Sequence, residues 1–208
     1  MGLKPNQRGA IFAWLFHDDL ELLTRAYQSS RVTAEKDKAV VEQRAAEFQK
    51  DVDAGKASWG EYDEDGNLLY DHGEDFGEVI EEKDGVLSII RLAFVISLHH
   101  YFEQQLSKRL PGKKYDQAKA FSFLRSYGWQ PRETELNELR LAANCAKHSE
   151  GKSADELYSL RADMFDANKI KNGFDPGYES LALTDVHVEA FFNAVGQSVS
   201  SQRPSPRF

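Results

Sequence analysis

Apolar residues recur at helical spacing over most of this chain. The first such region runs from about Gln7 to about Lys50, with Ile11, Leu15 and Leu22 on its apolar side. One long helix and two consecutive helices explain this region equally well, because the sequence starting at Thr33 is a plausible restart. A second region, residues 76–110, is apolar on almost all sides, as the central helix of a bundle must be.

Shorter helical patterns follow along the second half of the chain. We predict helices over residues 116–127 and 133–148, and a third from Ser153, where Ser-Ala-Asp-Glu matches a capping box, to about Phe165. Residues 178–183 suit an extended segment, and Thr184 suits the cap of a last amphipathic helix that ends near residue 199. Residues 200–208 contain two Pro and two Arg, and we expect a disordered tail there.

Residues 57–75 differ in character and predict a small, acidic, exposed β-hairpin insertion. An Asp-Gly-Asn sequence lies between two short segments that carry aromatic residues, which is typical of a hairpin turn. The same stretch approaches a calcium-binding loop through Asp63, Asp65, Asn67 and Glu74. Leu68 occupies the position where that loop requires Gly, so the hairpin is the better interpretation.

These patterns predict an all-α fold, a helical bundle of about five to seven helices with the hairpin inserted. Residues 1–199 would form a single domain, as expected for a chain of 208 residues with 41% hydrophobic and 29% charged residues. The single Cys indicates a reducing, cytoplasmic setting. The most apolar stretch, residues 86–98, is interrupted by Arg91 and looks too short for a membrane span. No sequence pattern indicates a cofactor or a metal site.

Charge is unevenly distributed along the chain. The net charge is −8, yet residues 106–152 contain ten Lys or Arg and only five Asp or Glu, while residues 61–84 contain eleven acidic residues and one Lys. The basic stretch indicates a local surface for phosphate groups. An ordinary charged turn between helices explains part of it equally well. The candidate phosphate ligands are Lys113, Lys114, Arg132, Lys147 and Lys152.

The helix over residues 133–148 carries a row of polar side chains between apolar ones. Arg140, Asn144 and His148 are each one turn apart, and Leu141 and Cys145 border the row. An Arg is a forked donor suited to phosphate, and a His can move a proton near neutral pH. The row therefore suits a catalytic phosphodiester site. Polar residues at this spacing are equally often solvated or part of a helix cap.

Around this row the sequence resembles HEPN domains, which are all-α proteins and often dimeric ribonucleases of toxin–antitoxin, abortive-infection and CRISPR-type defence systems. The resemblance lies in Glu138-Leu-Arg-Leu-Ala-Ala-Asn-Cys-Ala-Lys-His148 and in the apolar helix that precedes it, residues 92–106. The family signature is an Arg, four to six residues and then His. Here seven residues separate Arg140 from His148, and Leu141 follows the Arg.

The resemblance implies a cytoplasmic, metal-independent endoribonuclease acting in phage defence or in a toxin–antitoxin system. Arg140 would bind the scissile phosphate, His148 would act as acid and base, and Asn144 would orient one of them. It also implies a homodimer, with RNA or an antitoxin protein as partners. The alternative, favoured by the acidic insertion and the altered spacing, is a catalytically inactive helical module that binds a protein partner or a nucleotide.

Overall fold

The computed structural model describes residues 5–148 and 151–199, so the predicted disordered tail, residues 200–208, lies outside the described residues. Seven α-helices and one two-stranded antiparallel hairpin make up the described chain, which confirms the all-α bundle with a small hairpin insertion. The elements are α1 (Pro5–Asp53), β1 (Gly60–Tyr62), β2 (Leu68–Asp71), α2 (His72–Ser107), α3 (Gln117–Ser126), α4 (Glu133–His148), α5 (Lys152–Leu160), α6 (Ala167–Lys171) and α7 (Asp185–Ser198).

Several helix boundaries differ from those predicted from the sequence. α1 is one unbroken helix, and α2 begins directly after β2 and passes Gly85 without interruption. The capping box predicted at Ser153 is wrong, because α5 already begins at Lys152, after Gly151 with a φ of 124°. α5 also ends at Leu160 instead of continuing to Phe165. The cap predicted at Thr184 is confirmed, and the side chain that completes it is His187.

The chain divides into two compact units, and the smaller one comprises residues 28–90. Within it the hairpin strands are mostly exposed, but their base is attached to the helices by aromatic contacts. The ring centroid of Trp59 lies 4.9 Å from that of Phe48 on α1 and 6.3 Å from that of Phe76 on α2. The hairpin is therefore exposed along its strands and anchored at its base.

The calcium-like sequence of the hairpin forms its turn. One carboxylate oxygen of Asp63 accepts hydrogen bonds from the backbone N–H groups of Asp65 and Asn67, at 2.9 and 2.8 Å. The other accepts from the Asn67 side chain at 2.9 Å. These hydrogen bonds lower the pKa of Asp63. The carboxylate thus serves a local turn, which agrees with the hairpin interpretation.

The larger unit comprises the residues up to Tyr27 and from Arg91 onward. Its core forms around the second half of α2, where Val95, Leu98 and Leu106 are fully buried. Burial of such side chains contributes about 1.5–3 kcal/mol each. The largest other fully buried side chains come from α1, α3, α4, α5 and α7 and from the turn after α5: Phe16, Tyr27, Leu124, Leu139, Leu141, Leu157, Met164 and Phe191.

A part-buried ion pair connects three helices of this unit. The guanidinium of Arg91 on α2 binds both carboxylate oxygens of Asp185 on α7, at 3.0 and 2.8 Å. The hydroxyl of Tyr27 on α1 donates to the same carboxylate at 2.5 Å. Arg91, which interrupts the most apolar stretch of the sequence, thus has a structural partner.

α2 is the one helix in residues 5–148 and 151–199 that is long and apolar enough to cross a membrane. Residues 86–98 alone are too short to span a membrane, as the sequence predicted, but α2 as a whole has 36 residues and is long enough. Within the larger unit the side chains of Leu92, Val95, Leu98 and Phe102 on this helix are buried.

Candidate functional site

α4 forms because its sequence combines good helix formers with charges that match the helix dipole. Glu133 and Glu135 lie in its first turn, and Lys147 and His148 lie in its last. One broad face is buried against α5 and α7 through Leu136, Leu139, Ala142 and Ala143, among others. The helix is thus fixed on one side, and its polar row lies at the edge of the buried face.

Arg140 is half-buried on α4 and has only a neutral partner. Its guanidinium donates to the side-chain oxygen of Asn137 from Nε at 3.3 Å and from Nη2 at 2.9 Å. No carboxylate of the described residues forms an ion pair with it. A positive charge that is oriented but not neutralised can still bind an anion.

His99 on α2 is near enough to Arg140 and Lys147 for their charges to act on its imidazole. Only 4% of the residue is exposed, and within the described residues its Nδ1 has no hydrogen-bond partner. The nearest carboxylate oxygen, on Glu103, is 3.7 Å from Nδ1, which is too far for a hydrogen bond. Burial lowers the pKa of His99 to about 4, and the charges of Lys147 and Arg140 act in the same direction. His99 is therefore neutral at physiological pH.

Tyr115, in the segment between α2 and α3, completes this set of polar residues. Burial raises the pKa of its hydroxyl, the charge of Glu103 acts in the same direction, and the charge of Arg140 opposes it. The hydroxyl therefore remains protonated and can donate a hydrogen bond. We call the whole set the Arg140 cluster: His99, Glu103, Tyr115, Asn137, Arg140 and Lys147. Of the neighbours of Arg140, the sequence predicted only Lys147 as a phosphate ligand.

His148 lies away from the Arg140 cluster. It is the last residue of α4 and is exposed, with Ser149 and Glu150 beyond it outside the described residues. Asn144 is half-buried between Arg140 and His148. Eight residues of helix separate the Cα atoms of Arg140 and His148 by about 12 Å along the axis. Within one chain the structure thus places the three predicted catalytic residues in a row and does not bring them to one point.

Two of the candidate phosphate ligands, Arg132 and Lys147, lie at opposite ends of α4. Arg132 is paired with Glu135, through Nε and Oε1 at 3.0 Å, at the opposite end of α4 from Lys147. Lys114 and Lys152 are exposed, and the side chain of Lys113 lies outside the described residues. Arg132 is therefore a poor candidate because its charge is already compensated, whereas Lys147 is exposed two helical turns beyond Arg140 on the same side of α4.

Other basic residues of the same stretch have structural roles. Arg125 is paired with Glu133, and Arg109 lies over the ring of Phe12, 4.0 Å from its centroid, and donates to the backbone of Gln105. Ion pairs and cation–π contacts of this kind are ordinary packing of a bundle surface. Among the described basic residues of this stretch, ion pairs thus compensate the charge only at Arg125 and Arg132.

A second charged cluster lies on another side of α4 and was not predicted. Glu138 is buried, and Arg161 donates to its Oε2 at 2.5 Å. Arg161 also binds Asp163, at 2.9 and 2.8 Å, and Asp163 in turn contacts Nε2 of His187 at 3.1 Å. We call these four residues the Arg161 cluster. The hydrogen bonds from Arg161, assisted by the contact with His187, hold the pKa of Asp163 at about 2.

Two further chemistries find no support among the described residues. No group of three or more His, Cys, Asp or Glu side chains is placed to hold a metal ion within residues 5–148 and 151–199. Cys145 is buried on α4, and desolvation raises the pKa of its thiol to about 11. A thiol that stays protonated is a poor nucleophile, so Cys145 is a core residue.

Comparison with known proteins does not add to this description. The chain matches no protein-family model, no curated protein and no solved structure. The resemblance to HEPN domains therefore rests on the residues of α4 and of the apolar helix before it.

Proposed function

We propose that this protein is an HEPN-like, metal-independent endoribonuclease that binds a phosphate of RNA at the Arg140 cluster. One observation carries the proposal. Arg140 is half-buried and oriented by Asn137, and no described carboxylate forms an ion pair with it. Keeping a guanidinium partly desolvated without a counter-ion costs free energy, and an anionic ligand would recover that cost.

The chemistry needs one group to hold the phosphate and one to move protons. Arg140 would bind a non-bridging oxygen, and Lys147, two helical turns further along the same side of α4, would add positive charge for the neighbouring part of the RNA backbone. A neutral His148 would take the proton from a ribose 2′-hydroxyl. The 2′-oxygen would then bond to phosphorus while the bond to the 5′-oxygen breaks, and the protonated His148 would give its proton to that 5′-oxygen. The products would be a 2′,3′-cyclic phosphate and a 5′-hydroxyl.

A dimer would solve the problem of the distance between Arg140 and His148. Both Arg140 and His148 must lie within about 3 Å of the reacting phosphodiester. In one chain they cannot both do so, because they are about 12 Å apart along the helix axis. Arg140 of one copy and His148 of a second copy can meet at one phosphate if two α4 helices face each other. A twofold axis would create two equal sites of this kind.

Exposed apolar residues also support self-association. Ile11, Leu15 and Leu22 follow one side of α1 and are 46%, 44% and 57% exposed, and a row of exposed apolar side chains is typical of a contact surface. We therefore expect a homodimer. Light scattering at tens of micromolar, a range that detects weak dimers, should give twice the chain mass. A chain mass that stays monomeric over that range would argue against the shared site.

A cleavage assay tests the activity directly. Purified protein should cut structured RNA equally well with and without EDTA and leave 2′,3′-cyclic phosphate ends. His148→Ala should reduce the rate by about 10²–10⁴, the usual contribution of a proton-transfer group. Arg132→Ala is the matched control, because Arg132 is already paired with Glu135. Wild-type cleavage by His148→Ala, or loss of activity in EDTA, would refute the mechanism.

The second candidate is a catalytically inactive module that binds a protein partner, such as an antitoxin, or a nucleotide. The separation of Arg140 and His148 on α4 favours it, because the two groups do not converge in one chain. In that case RNA remains intact, while the Arg140 cluster still binds a phosphate-containing ligand. His148 would then interact with the last carbonyl groups of α4.

A further inference from the structure

The hairpin of the smaller unit presents large apolar side chains to solvent. Tyr62, Leu68 and Leu69 are 62%, 53% and 66% exposed, and we call these three residues the outer patch. Tyr62 is the cross-strand partner of Leu68, so the two side chains lie on the same face of the hairpin. The strand register skips Leu69, which follows Leu68 in β2. Neighbouring apolar side chains of this exposure are typical of a contact surface.

The opposite face of the hairpin packs against the helices of the smaller unit. Glu61 and Tyr70 are cross-strand partners on that face. The ring centroid of Tyr70 lies 4.7 Å from that of His72, and the His72 ring lies 4.7 Å from that of Phe48 on α1. Tyr62 follows Glu61 in the strand, so its side chain points away from these contacts. The outer patch is therefore supported from behind and open to solvent.

Gly60 allows the Tyr62 ring to lie close to β1. A Cβ at residue 60 would lie 2.6 Å from the Tyr62 hydroxyl oxygen and 2.7 Å from both Cε2 and Cζ of the ring. The ring therefore covers Gly60 and is positioned by its own strand. An exposed aromatic ring held in this way can accept an ammonium or guanidinium group through a cation–π contact.

Unpaired carboxylates lie next to the outer patch in the hairpin turn. Residues 57–75 contain seven Asp or Glu and no Lys or Arg. Asp63 serves the turn itself, and Glu61 contacts His72 at 3.1 Å. The side chains of Glu64 and Asp65 are exposed and form no ion pair or hydrogen bond with the described residues. This charge repels RNA and other anions and favours a partner with positive charge.

The two strands of the hairpin also have open edges. Within the described residues the sheet consists of β1 and β2, so each strand has a single neighbour. The unpaired backbone groups at such an edge can form hydrogen bonds with an extended segment of another chain. The hairpin thus offers backbone partners, apolar side chains and carboxylates over one short stretch.

We propose that the outer patch docks an extended segment of another protein that carries both apolar residues and Lys or Arg. The apolar side chains of the segment contact Leu68 and Leu69. Its cationic groups pair with Glu64 and Asp65 or lie against the ring of Tyr62. The hairpin contains no residue of the Arg140 cluster, so this docking does not depend on RNA cleavage and can be tested separately from it.

A labelled peptide tests the docking on the full chain. The probe is fluorescein-labelled Lys-Val-Lys-Leu-Lys-Val-Lys-Leu, and fluorescence anisotropy measures its affinity. Leu68→Ser/Leu69→Ser should weaken binding by about tenfold, because two apolar contacts are lost. Glu64→Gln/Asp65→Asn should weaken it by about threefold, the value expected for exposed ion pairs.

Matched control variants on α5 show whether the effects belong to the hairpin. Leu160 is 56% exposed, and Asp155 and Glu156 are exposed carboxylates of the larger unit. Leu160→Ser and Asp155→Asn/Glu156→Gln should leave the affinity of the probe unchanged. A second probe with Glu in place of each Lys should not bind, and a third with Ser in place of Val and Leu should bind more weakly than the first.

Several results would overturn the proposal. These are no binding of the first probe at millimolar concentration, equal affinities for the wild type and both hairpin variants, or binding of the Glu probe. So would a wild-type dimer that dissociates in the Leu68→Ser/Leu69→Ser variant by light scattering, because a second copy would then cover the outer patch. If circular dichroism shows that this variant has lost helix, the Glu64→Gln/Asp65→Asn variant and the Ser probe decide.

Discussion

The two charged clusters that contain α4 residues differ in how their charges are paired. In the Arg161 cluster the buried carboxylate of Glu138 and the guanidinium of Arg161 face each other at 2.5 Å, and Asp163 and His187 extend the chain of contacts. In the Arg140 cluster the guanidinium has an amide as its partner, and the nearby imidazole of His99 has an unpartnered Nδ1 among the described residues.

This difference suggests that the Arg161 cluster stabilises the fold and that the Arg140 cluster binds a ligand. Glu138 and Arg140 are two residues apart on one helix, so their side chains point in directions about 160° apart. The charges of the Arg161 cluster are paired with one another, so substituting one of its residues should mainly lower the stability of the fold. Arg140 has no charged partner among the described residues, so substituting it should mainly weaken ligand binding. Single substitutions on the two sides should therefore differ in kind.

The largest effect is expected for Arg161→Met. This variant leaves the carboxylate of Glu138, 8% exposed, without its partner. Loss of one member of a buried pair typically costs about 3–5 kcal/mol, and urea unfolding should show a loss of this order. Ligand binding at the Arg140 cluster should persist under conditions where the variant is folded.

The double variant Glu138→Leu/Arg161→Met is the control for that experiment. It removes both charges, so it should recover most of the stability lost in the single variant. If the single variant is as stable as the wild type, the Arg161 cluster is not the structural half of the comparison.

The pH dependence of stability should show the next largest effect and should depend on His99. The folded chain keeps His99 neutral down to about pH 4, whereas the unfolded chain takes up the proton near pH 6.5. Between these values the unfolded state binds more protons, so stability falls as the pH is lowered. The total loss is on the order of 3 kcal/mol. His99→Gln should flatten the curve between pH 6.5 and 4, measured by urea unfolding at each pH.

His100 provides the control for this titration. It is exposed on α2, next to His99 in sequence, so His100→Gln should leave the slope in that pH range almost unchanged. Equal slopes for the wild type and His99→Gln would show that His99 is not a buried neutral imidazole.

Arg140→Gln should reverse the pattern expected for Arg161. Stability should change by less than about 1 kcal/mol, because the substitution removes little more than the hydrogen bond to Asn137. Affinity for a short RNA should fall by about 10- to 100-fold, the value of one charged hydrogen-bonding group. Fluorescence anisotropy measures the affinity, and Arg125→Gln, whose charge is paired with Glu133, is the control. An unchanged affinity would place the phosphate elsewhere.

The smallest effect is expected for Asp163→Asn. The hydrogen bonds from Arg161 lower the pKa of Asp163 to about 2, so Asp163 stabilises the fold above about pH 4 and loses this contribution as the pH falls to 2. The side chain is 56% exposed, so the contribution should stay below about 1 kcal/mol. Thermal unfolding between pH 4 and 2 should be less steep in the variant. A curve parallel to the wild type would show that solvent screens this pair completely.

Periodicity predicted the fold class because each long helix has its own apolar pattern. The boundaries were less predictable where long-range contacts decide them. The sequence presents the hairpin as an independent insertion, but Trp59 packs against Phe48 and Phe76, which belong to the helices on either side of it. α5 begins at Lys152, directly after Gly151 with its positive φ, and a Ser-x-x-Glu pattern does not reveal this start.

The candidate site was predictable along α4 and not across to other helices. The spacing of Arg140, Asn144 and His148 follows from helix geometry alone. The proximity of His99 and Tyr115 to Arg140 depends on how α2, the segment before α3 and α4 pack, and no local pattern encodes it. Pairing was more accessible, since Glu135 lies three residues after Arg132, whereas no acidic residue lies three or four positions from Arg140.

Which residues are tolerated at position 9, near the start of α1, depends on the residue at position 127. A Cβ at residue 9 would lie 2.6 Å from a ring carbon of Tyr127, so no larger residue fits while that ring stays stacked on Trp129. In a mutational scan Gly9→Ala should therefore be selected against alone. It should be rescued by Tyr127→Ser or Tyr127→Ala, which remove the obstructing ring. Such a suppressor pair would be found by selection for folded protein, without any knowledge of its activity.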